Sequence, residues 1–201
     1  MMKRKDIRHL AIAIAVLLVL AALTSAAAGP RASSPQAATD MPGTIRIRPQ
    51  PASVGVGGTV TVDVWLENVG NIYGLDFKLN FEKARVSVPS GKVTPLWEVF
   101  DGVNSFTIVN RVTSVDGTYN QIQYALTNVN PAEPFTGTGR VCSITFSGLA
   151  EGTTALDFPD TLIERPKGST RDGDPLYPVA VDGVILIGSM NRLRLPVVAV
   201  Q

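Results

Sequence analysis

Hydrophobic and polar residues alternate along residues 59–82, the most regular stretch of the chain. The apolar positions are Val60, Val62, Val64 and Leu66 in its first half, and Tyr73, Leu75, Phe77, Leu79 and Phe81 in its second. A period of two predicts β-strands that bury one face and expose the other. The segment Glu67–Asn71 holds Gly and Asn residues, which tolerate positive φ angles. The pattern therefore predicts two strands joined by a tight polar turn.

Short alternating segments punctuated by Gly, Pro, Asn and Asp continue through the chain. They predict strands at Thr44–Arg48, Ala84–Val88, Ser105–Arg111, Tyr119–Thr127, Gly139–Ser147, Thr154–Phe158 with a resumption at Thr161–Glu164, and Val179–Ile187. Asp116-Gly117 is the turn signal of a hairpin between two of them. The polar segment Lys167–Pro175 is expected to be a surface loop. No amphipathic helix is indicated, so the pattern predicts an all-β sandwich of jelly-roll or immunoglobulin-like type with about nine strands.

The N-terminal residues have the layout of a secretory signal peptide. Basic residues precede an apolar run of about 14 residues, shorter than the roughly 20 that span a bilayer, and small residues follow. The sequence thus predicts a signal peptide at 1–28, a Pro/Ala/Ser-rich linker at 29–43, one domain at 44–188 and a short apolar tail at 189–201. An uncleaved membrane anchor is the alternative for the first segment. After signal removal no membrane span is expected, and the protein would be secreted, with cell-surface association as an alternative.

Charge and residue usage exclude several kinds of chemistry. The 201 residues include 18 Lys and Arg against 17 Asp and Glu, which gives no basic footprint for nucleic acid. The single histidine, His9, lies in the predicted signal peptide, so the mature chain lacks the imidazole base of a nucleophilic triad. Cys142 alternates with apolar neighbours and is expected in the core. We predict no catalytic residues, no cofactor and no enzyme activity.

Calcium is the metal for which the sequence offers candidate oxygen ligands. Asp172 and Asp174 flank a glycine, and Asp160 and Glu164 lie nearby in sequence. The EF-hand pattern is absent, and Asp-Gly-Asp is common in simple turns. No metal site is assigned to the segment 160–174.

Three segments, taken in order, resemble a cohesin domain. They are VGGTVTVDVWLENV at 56–69 with IYGLDFKLNF at 72–81, GTGRVCSITF at 137–146 followed by EGTTAL at 151–156, and VDGVILI at 181–187. The resemblance covers nearly all of residues 44–188. The chain is more distantly similar to carbohydrate-binding modules that share this sandwich.

The resemblance implies a non-catalytic receptor in an extracellular, polysaccharide-degrading assembly. Cohesins bind dockerins, small helical modules that carry calcium, through one sheet face. The family Asp that accepts hydrogen bonds from the dockerin matches Asp76, and the Asn found two residues earlier in the family is Gly74 here. The alternation independently places Lys78 and Asn80 beside Asp76. Gln121 and Gln123 complete the predicted partner-binding set. Gln121, Gln123, Ala125 and Thr127 are expected to share one face of their strand, as are Thr107, Val109 and Arg111 of the neighbouring strand.

Two other functions stay open at this point. A carbohydrate-binding module needs exposed aromatic rings in line to stack on sugars. Trp65 points outward by the alternation, and Trp97, Phe100 and Tyr119 lie at loops or strand ends. A structural or adhesive surface domain without a dockerin partner is the third possibility.

Overall fold

The structure, a computed structural model, describes residues 41–188. The predicted signal peptide, most of the linker and the C-terminal tail lie outside these residues. Within 41–188 no helix is long and apolar enough to cross a membrane.

Fourteen strands make up the described part of the chain, and nine of them have four or more residues. In chain order they are β1 (Thr44–Arg48), β2 (Ala52–Gly55), β3 (Thr59–Ile72), β4 (Gly74–Glu82), β5 (Val86–Ser87), β6 (Thr94–Pro95), β7 (Ser105–Ser114), β8 (Tyr119–Asn128), β9 (Phe135–Gly148), β10 (Gly152–Leu156), β11 (Lys167–Ser169), β12 (Pro175–Leu176), β13 (Val179–Val181) and β14 (Gly183–Gly188). The prediction of an all-β sandwich is confirmed.

The strands form three sheets around one core. A six-stranded sheet has the order β13-β1-β3-β9-β5, with β6 also paired to β9. A five-stranded sheet has the order β12-β11-β4-β8-β7, and β10-β14-β2 form a three-stranded sheet. Buried side chains from all three sheets make a single hydrophobic cluster that includes Cys142, as the alternation predicted.

The stretch 59–82 is two strands, but they are not a hairpin. β3 pairs with β1 and β9, whereas β4 pairs with β8 and β11, so the chain crosses from one sheet to the other near Tyr73. The predicted turn at Glu67–Asn71 is wrong. Asn68 and Asn71 do adopt positive φ angles of 52° and 58°, but they do so at irregularities in the β3–β9 register. Residues that tolerate the left-handed conformation suit both the tight turns and the β-bulges that use it.

Two predictions for the segment after β10 are also wrong. Residues 161–164 are a turn rather than a resumed strand, closed by hydrogen bonds from the Glu164 and Arg165 N–H groups to the Thr161 carbonyl. The expected loop Lys167–Pro175 contains β11, which pairs with β4 and extends the five-stranded sheet. Sequence alternation did not reveal β11 because this strand has only three residues, Lys-Gly-Ser, and no apolar side chain.

Candidate functional site

The outward face of the five-stranded sheet holds all six predicted partner-binding residues, and we call it the five-stranded face. Gly74, Asp76, Lys78 and Asn80 lie on β4, and Gln121 and Gln123 lie on β8. The β4–β8 register sets Lys78 opposite Gln123 and Asn80 opposite Gln121. The structure thus brings the six together on one face, but it divides them between two environments.

Amide side chains in one half of this face form a continuous hydrogen-bonded ladder. Arg111 Nε donates to Gln123 Oε1 at 3.0 Å, and Gln123 Nε2 donates to Gln121 Oε1 at 2.9 Å. Gln121 Nε2 then donates to Asn80 Oδ1 at 3.0 Å. Gln121 is buried. The ladder crosses three strands and satisfies its own polar groups, so we assign Gln121 and Asn80 a supporting role in the face.

The other half of the face opens into a cavity of about 480 Å³. Apolar atoms of Ile108, Val109 and Ala125 form one side, while Asp76 and Lys167 contribute charge. The strand β11 supplies the far wall through residues 167–169. The cavity therefore combines an apolar wall with a small number of polar groups, as binding sites commonly do.

Asp76 contributes a negative charge to this cavity without a hydrogen bond or ion pair of its own in residues 41–188. Its carboxylate accepts no hydrogen bond and forms no ion pair within residues 41–188, because Lys78 Nζ instead donates to Glu164 Oε1 at 3.0 Å. Partial burial raises the pKa of Asp76, and the charges of Lys78 and Lys167 offset only part of that effect. The Asp76 carboxylate is left with its hydrogen-bonding capacity free for a partner.

Gly74 lies at the end of the cavity in close contact with its neighbours. A Cβ atom at this position would come 2.7 Å from Ser169 Oγ and 3.2 Å from Thr127 Oγ1. β11 therefore takes the space that a side chain at residue 74 would need. This packing leaves little room for the Asn side chain that the resemblance leads one to expect here.

A register shift in β7 changes which of its residues face outward. Thr107 pairs with the buried Leu126, whereas Val109 pairs with Ala125 on the cavity side. The prediction that Thr107 shares a face with Val109 and Arg111 is therefore wrong for Thr107. The extra residue, Ile108, is exposed and lines the cavity. Neither Ile108 nor β11 was found from the sequence, because a bulge changes the side-chain alternation without a distinctive residue pattern.

The four aromatic residues considered for sugar stacking have different environments. Two guanidinium groups, those of Arg48 and Arg140, lie 5.2 and 6.0 Å from the centre of the Trp65 ring. Phe100 is buried in the core. Trp97 is half exposed and packs over Gly102, and Tyr119 is partly exposed at the start of β8. Trp97 is the most exposed of these four side chains, at 50%, and Tyr119 follows at 40%.

Local hydrogen bonds hold the segment 160–174, to which the sequence analysis assigned no metal. The Asp174 N–H donates to Thr170 Oγ1 at 3.0 Å, and the Thr170 N–H donates to the Asp174 carbonyl at 2.9 Å. Asp172–Asp174 is thus part of a tight turn, and Glu164 is engaged by Lys78. Among residues 41–188 no cluster of three or more His, Cys, Asp or Glu side chains is arranged to hold a metal.

The fold and this face define a β-sandwich with one open, mixed polar and apolar sheet surface. More specifically, comparison with solved structures shows a cohesin-like fold. A non-cellulosomal cohesin from the hyperthermophilic archaeon Archaeoglobus fulgidus shares 18% identity over 73% of this chain and 91% of its own, with a TM-score of 0.55. A type II cohesin domain from the cellulosome of Acetivibrio cellulolyticus shares 20% identity over 71% of this chain and 94% of its own, with a TM-score of 0.56.

A cohesin solved with a dockerin has the same likeness. The type I cohesin–dockerin complex from Clostridium thermocellum gives 17% identity over 74% of this chain and 96% of the other, with a TM-score of 0.55. No protein-family model and no curated protein matches the chain in sequence. The resemblance seen in the sequence is thus supported at the level of the fold.

Proposed function

We propose that this protein is a non-catalytic binding module that docks a dockerin-type protein on its five-stranded face. The observation that carries the proposal is the unpartnered Asp76 carboxylate, set in a cavity beside an apolar wall on a cohesin-like fold. A carboxylate in this position can accept hydrogen bonds from hydroxyl, amide or basic groups of a partner. Any calcium in the complex would be carried by the partner.

The dimensions of the face suit a helical partner. Three inter-strand spacings separate β11 from β7, a width of about 14 Å. An α-helix with its side chains is about 10–12 Å across. One helix can therefore lie along the face, with apolar side chains against Ile108 and Val109 and a hydrogen-bond donor at Asp76.

Calorimetric titration of the full chain against a panel of calcium-loaded dockerins tests the proposal. We expect at least one dockerin to bind, and Asp76→Ala to weaken that binding by about ten- to a hundredfold, as for a central interface residue. Asp172→Ala, which changes an exposed turn aspartate, is the matched control and should bind as the wild type does. Absence of binding to every dockerin, with and without calcium, would overturn the proposal.

We also propose that the module acts outside the cell, in assemblies that degrade polysaccharide. The support is the signal-peptide pattern of residues 1–28, together with the cohesin-like fold. Expression in a host with a general secretion pathway should release protein whose first residue follows the small-residue stretch ending at Ala28. Recovery of the intact chain in the membrane fraction would favour the uncleaved anchor instead.

Carbohydrate binding is the second candidate, and Trp97 is the observation in its favour. Its ring covers Gly102 on one side and is half exposed. Pull-down on insoluble cellulose, chitin or xylan, with Trp97→Ala as the variant, separates this function from dockerin binding. A chain that binds neither dockerins nor polysaccharides would be assigned to the structural or adhesive class.

A further inference from the structure

The turn Thr161–Arg165 presents two aliphatic side chains to solvent. Leu162 and Ile163 are 81% and 91% exposed. The turn is closed by hydrogen bonds from the Glu164 and Arg165 N–H groups to the Thr161 carbonyl, at 3.1 and 2.8 Å. Because the backbone is tied in this way, the two side chains are held outward rather than left free to fold back against the core.

The same turn is fastened to the rim of the five-stranded face. Glu164 Oε1 accepts a hydrogen bond from Lys78 Nζ at 3.0 Å, and Arg165 lies 3.7 Å from the centre of the Tyr177 ring. Two residues further on, Lys167 begins β11 and pairs with Asp76. Leu162 and Ile163 therefore belong to a turn that is tied to β4 through Lys78, a residue that lines the cavity.

Exposed apolar side chains also border the β7 edge of the face. Phe106 and Ile108 on β7 are 61% and 58% exposed, and Ile108 lines the cavity. Exposed apolar groups thus lie on β7 at one edge of the face and on the turn that is tied to Lys78, with Asp76 on the strand β4. Ordered apolar groups gathered around a polar centre are characteristic of protein interfaces, where they exclude water from the central contact.

We propose that Leu162 and Ile163 form a second anchor for the protein partner that docks on the five-stranded face. The proposal rests on the proposed function. The partner would place one helix over the cavity and, beside that helix, an apolar depression that receives the Leu162–Ile163 pair. The anchor would fix how the partner is positioned across the face and would select among partners that share the helix.

The charges around the turn favour a protein over a lipid surface. Three carboxylates and three cations lie close to it along the chain or across β11: Asp160, Glu164 and Asp76, with Lys78, Arg165 and Lys167. Mixed charge of this kind matches a protein surface with both signs of charge.

The test uses the full chain and the dockerin that binds it most tightly. The double variant Leu162→Ser/Ile163→Ser should weaken binding by about tenfold, mainly through faster dissociation measured by surface plasmon resonance. Its thermal unfolding should be unchanged, since both residues are exposed. Leu149→Ser, which alters another exposed leucine in the connection between β9 and β10, is the control and should leave binding unaltered.

The outcomes separate this inference from the proposed function. Wild-type affinity retained by the double variant would overturn the anchor while leaving the proposed function intact. Failure of the wild-type chain to bind any dockerin would overturn both. Sedimentation with anionic phosphatidylserine vesicles is the additional measurement: wild-type binding lost in the double variant, with dockerin binding unchanged, would assign the pair to lipid and overturn the anchor.

Discussion

The two outward sheet faces of this sandwich treat charge in opposite ways. On the six-stranded sheet, Glu67 accepts contacts from both Arg46 and Arg48. Arg140 on the same sheet bridges Asp63, at 3.5 Å, and Glu98. These charges are neutralised by one another, and the guanidinium groups of Arg48 and Arg140 also lie near the Trp65 ring.

The five-stranded face neutralises only part of its charge. Lys78 is paired with Glu164, and the amide ladder from Arg111 satisfies one half. Asp76 faces the cavity without an ion pair within the described residues. Charges that are already paired within the protein form few new hydrogen bonds or ion pairs with a partner. An unpaired carboxylate beside an apolar wall can form such contacts when a partner binds. The comparison therefore identifies the five-stranded face as the better candidate for binding.

Stability does not explain the difference, because both faces rest on equally buried inward rows. Val62, Val64 and Leu66 are inaccessible to solvent beneath one face, and so are Phe77 and Leu79 beneath the other.

The largest predicted effect on stability comes from a charge placed in these inward rows. Phe77→Asp would bury an unpaired charge and cost more than about 4 kcal/mol, enough to unfold a domain of ordinary stability.

Val62→Asp should unfold the protein to the same extent, because Val62 in the six-stranded sheet is as deeply buried as Phe77 in the five-stranded sheet. Circular dichroism and thermal melting measure both variants. Asp76→Asn, an outward substitution next to Phe77, is the control that should stay folded. A folded Phe77→Asp protein would contradict the assignment of the inward row.

Gln123→Ala is predicted to have the next largest effect on stability. It removes the donor to Gln121 Oε1 and the acceptor for Arg111 Nε. Since Gln121 is buried, its unsatisfied oxygen should cost about 1–3 kcal/mol in the free energy of unfolding. Urea denaturation measures this cost. Arg111→Ala cuts only the exposed end of the ladder and should cost less, so an equal loss in both variants would contradict the ladder.

These examples indicate what the sequence could and could not predict. Alternation identified the strands and the inward rows, because burial of one face imposes a period of two. It assigned β3 and β4 to one hairpin, because Asn68 and Asn71 suit a bulge as well as a turn. It missed β11, whose pairing with β4 is made by backbone atoms that carry no residue signature. The sequence thus located Asp76 but not the walls of its cavity.

Gly74→Val tests whether those walls matter. Its Cβ would approach Ser169 Oγ to 2.7 Å, and rotation or small shifts of Ser169 can relieve part of the contact. We expect a stability loss of about 1 kcal/mol but a loss of about tenfold in dockerin affinity, because the added side chain occupies the end of the cavity. The double variant Gly74→Val/Ser169→Ala should recover stability without recovering affinity. Recovery of both would indicate that the variant acts through the fold alone.

The smallest predicted effect is a difference in pH dependence between the two faces. Partial burial raises the pKa of Asp76 above its ordinary value of 3.8, so the folded state binds the proton more tightly than the unfolded state does. The contribution of Asp76 to stability therefore declines as the pH rises through these values and is least favourable at neutral pH. On the other face, hydrogen bonds from Arg140 lower the pKa of Glu98 below its ordinary value of 4.5, so its contribution is present above that pH and is lost as the pH falls.

Melting temperatures of the wild type, Asp76→Asn and Glu98→Gln between pH 3 and pH 7 measure these opposite signs. Asp76→Asn should be slightly more stable than the wild type at neutral pH, and Glu98→Gln slightly less stable, each by less than about 1 kcal/mol because both groups meet solvent. Both differences should shrink toward pH 3, as the wild-type carboxyls become protonated. A stabilising Asp76→Asn that also loses dockerin affinity would mean that the carboxylate is kept for binding at a cost in stability. A destabilising Asp76→Asn would instead indicate that the charge of Asp76 is compensated within the protein, as the charges of the opposite face are.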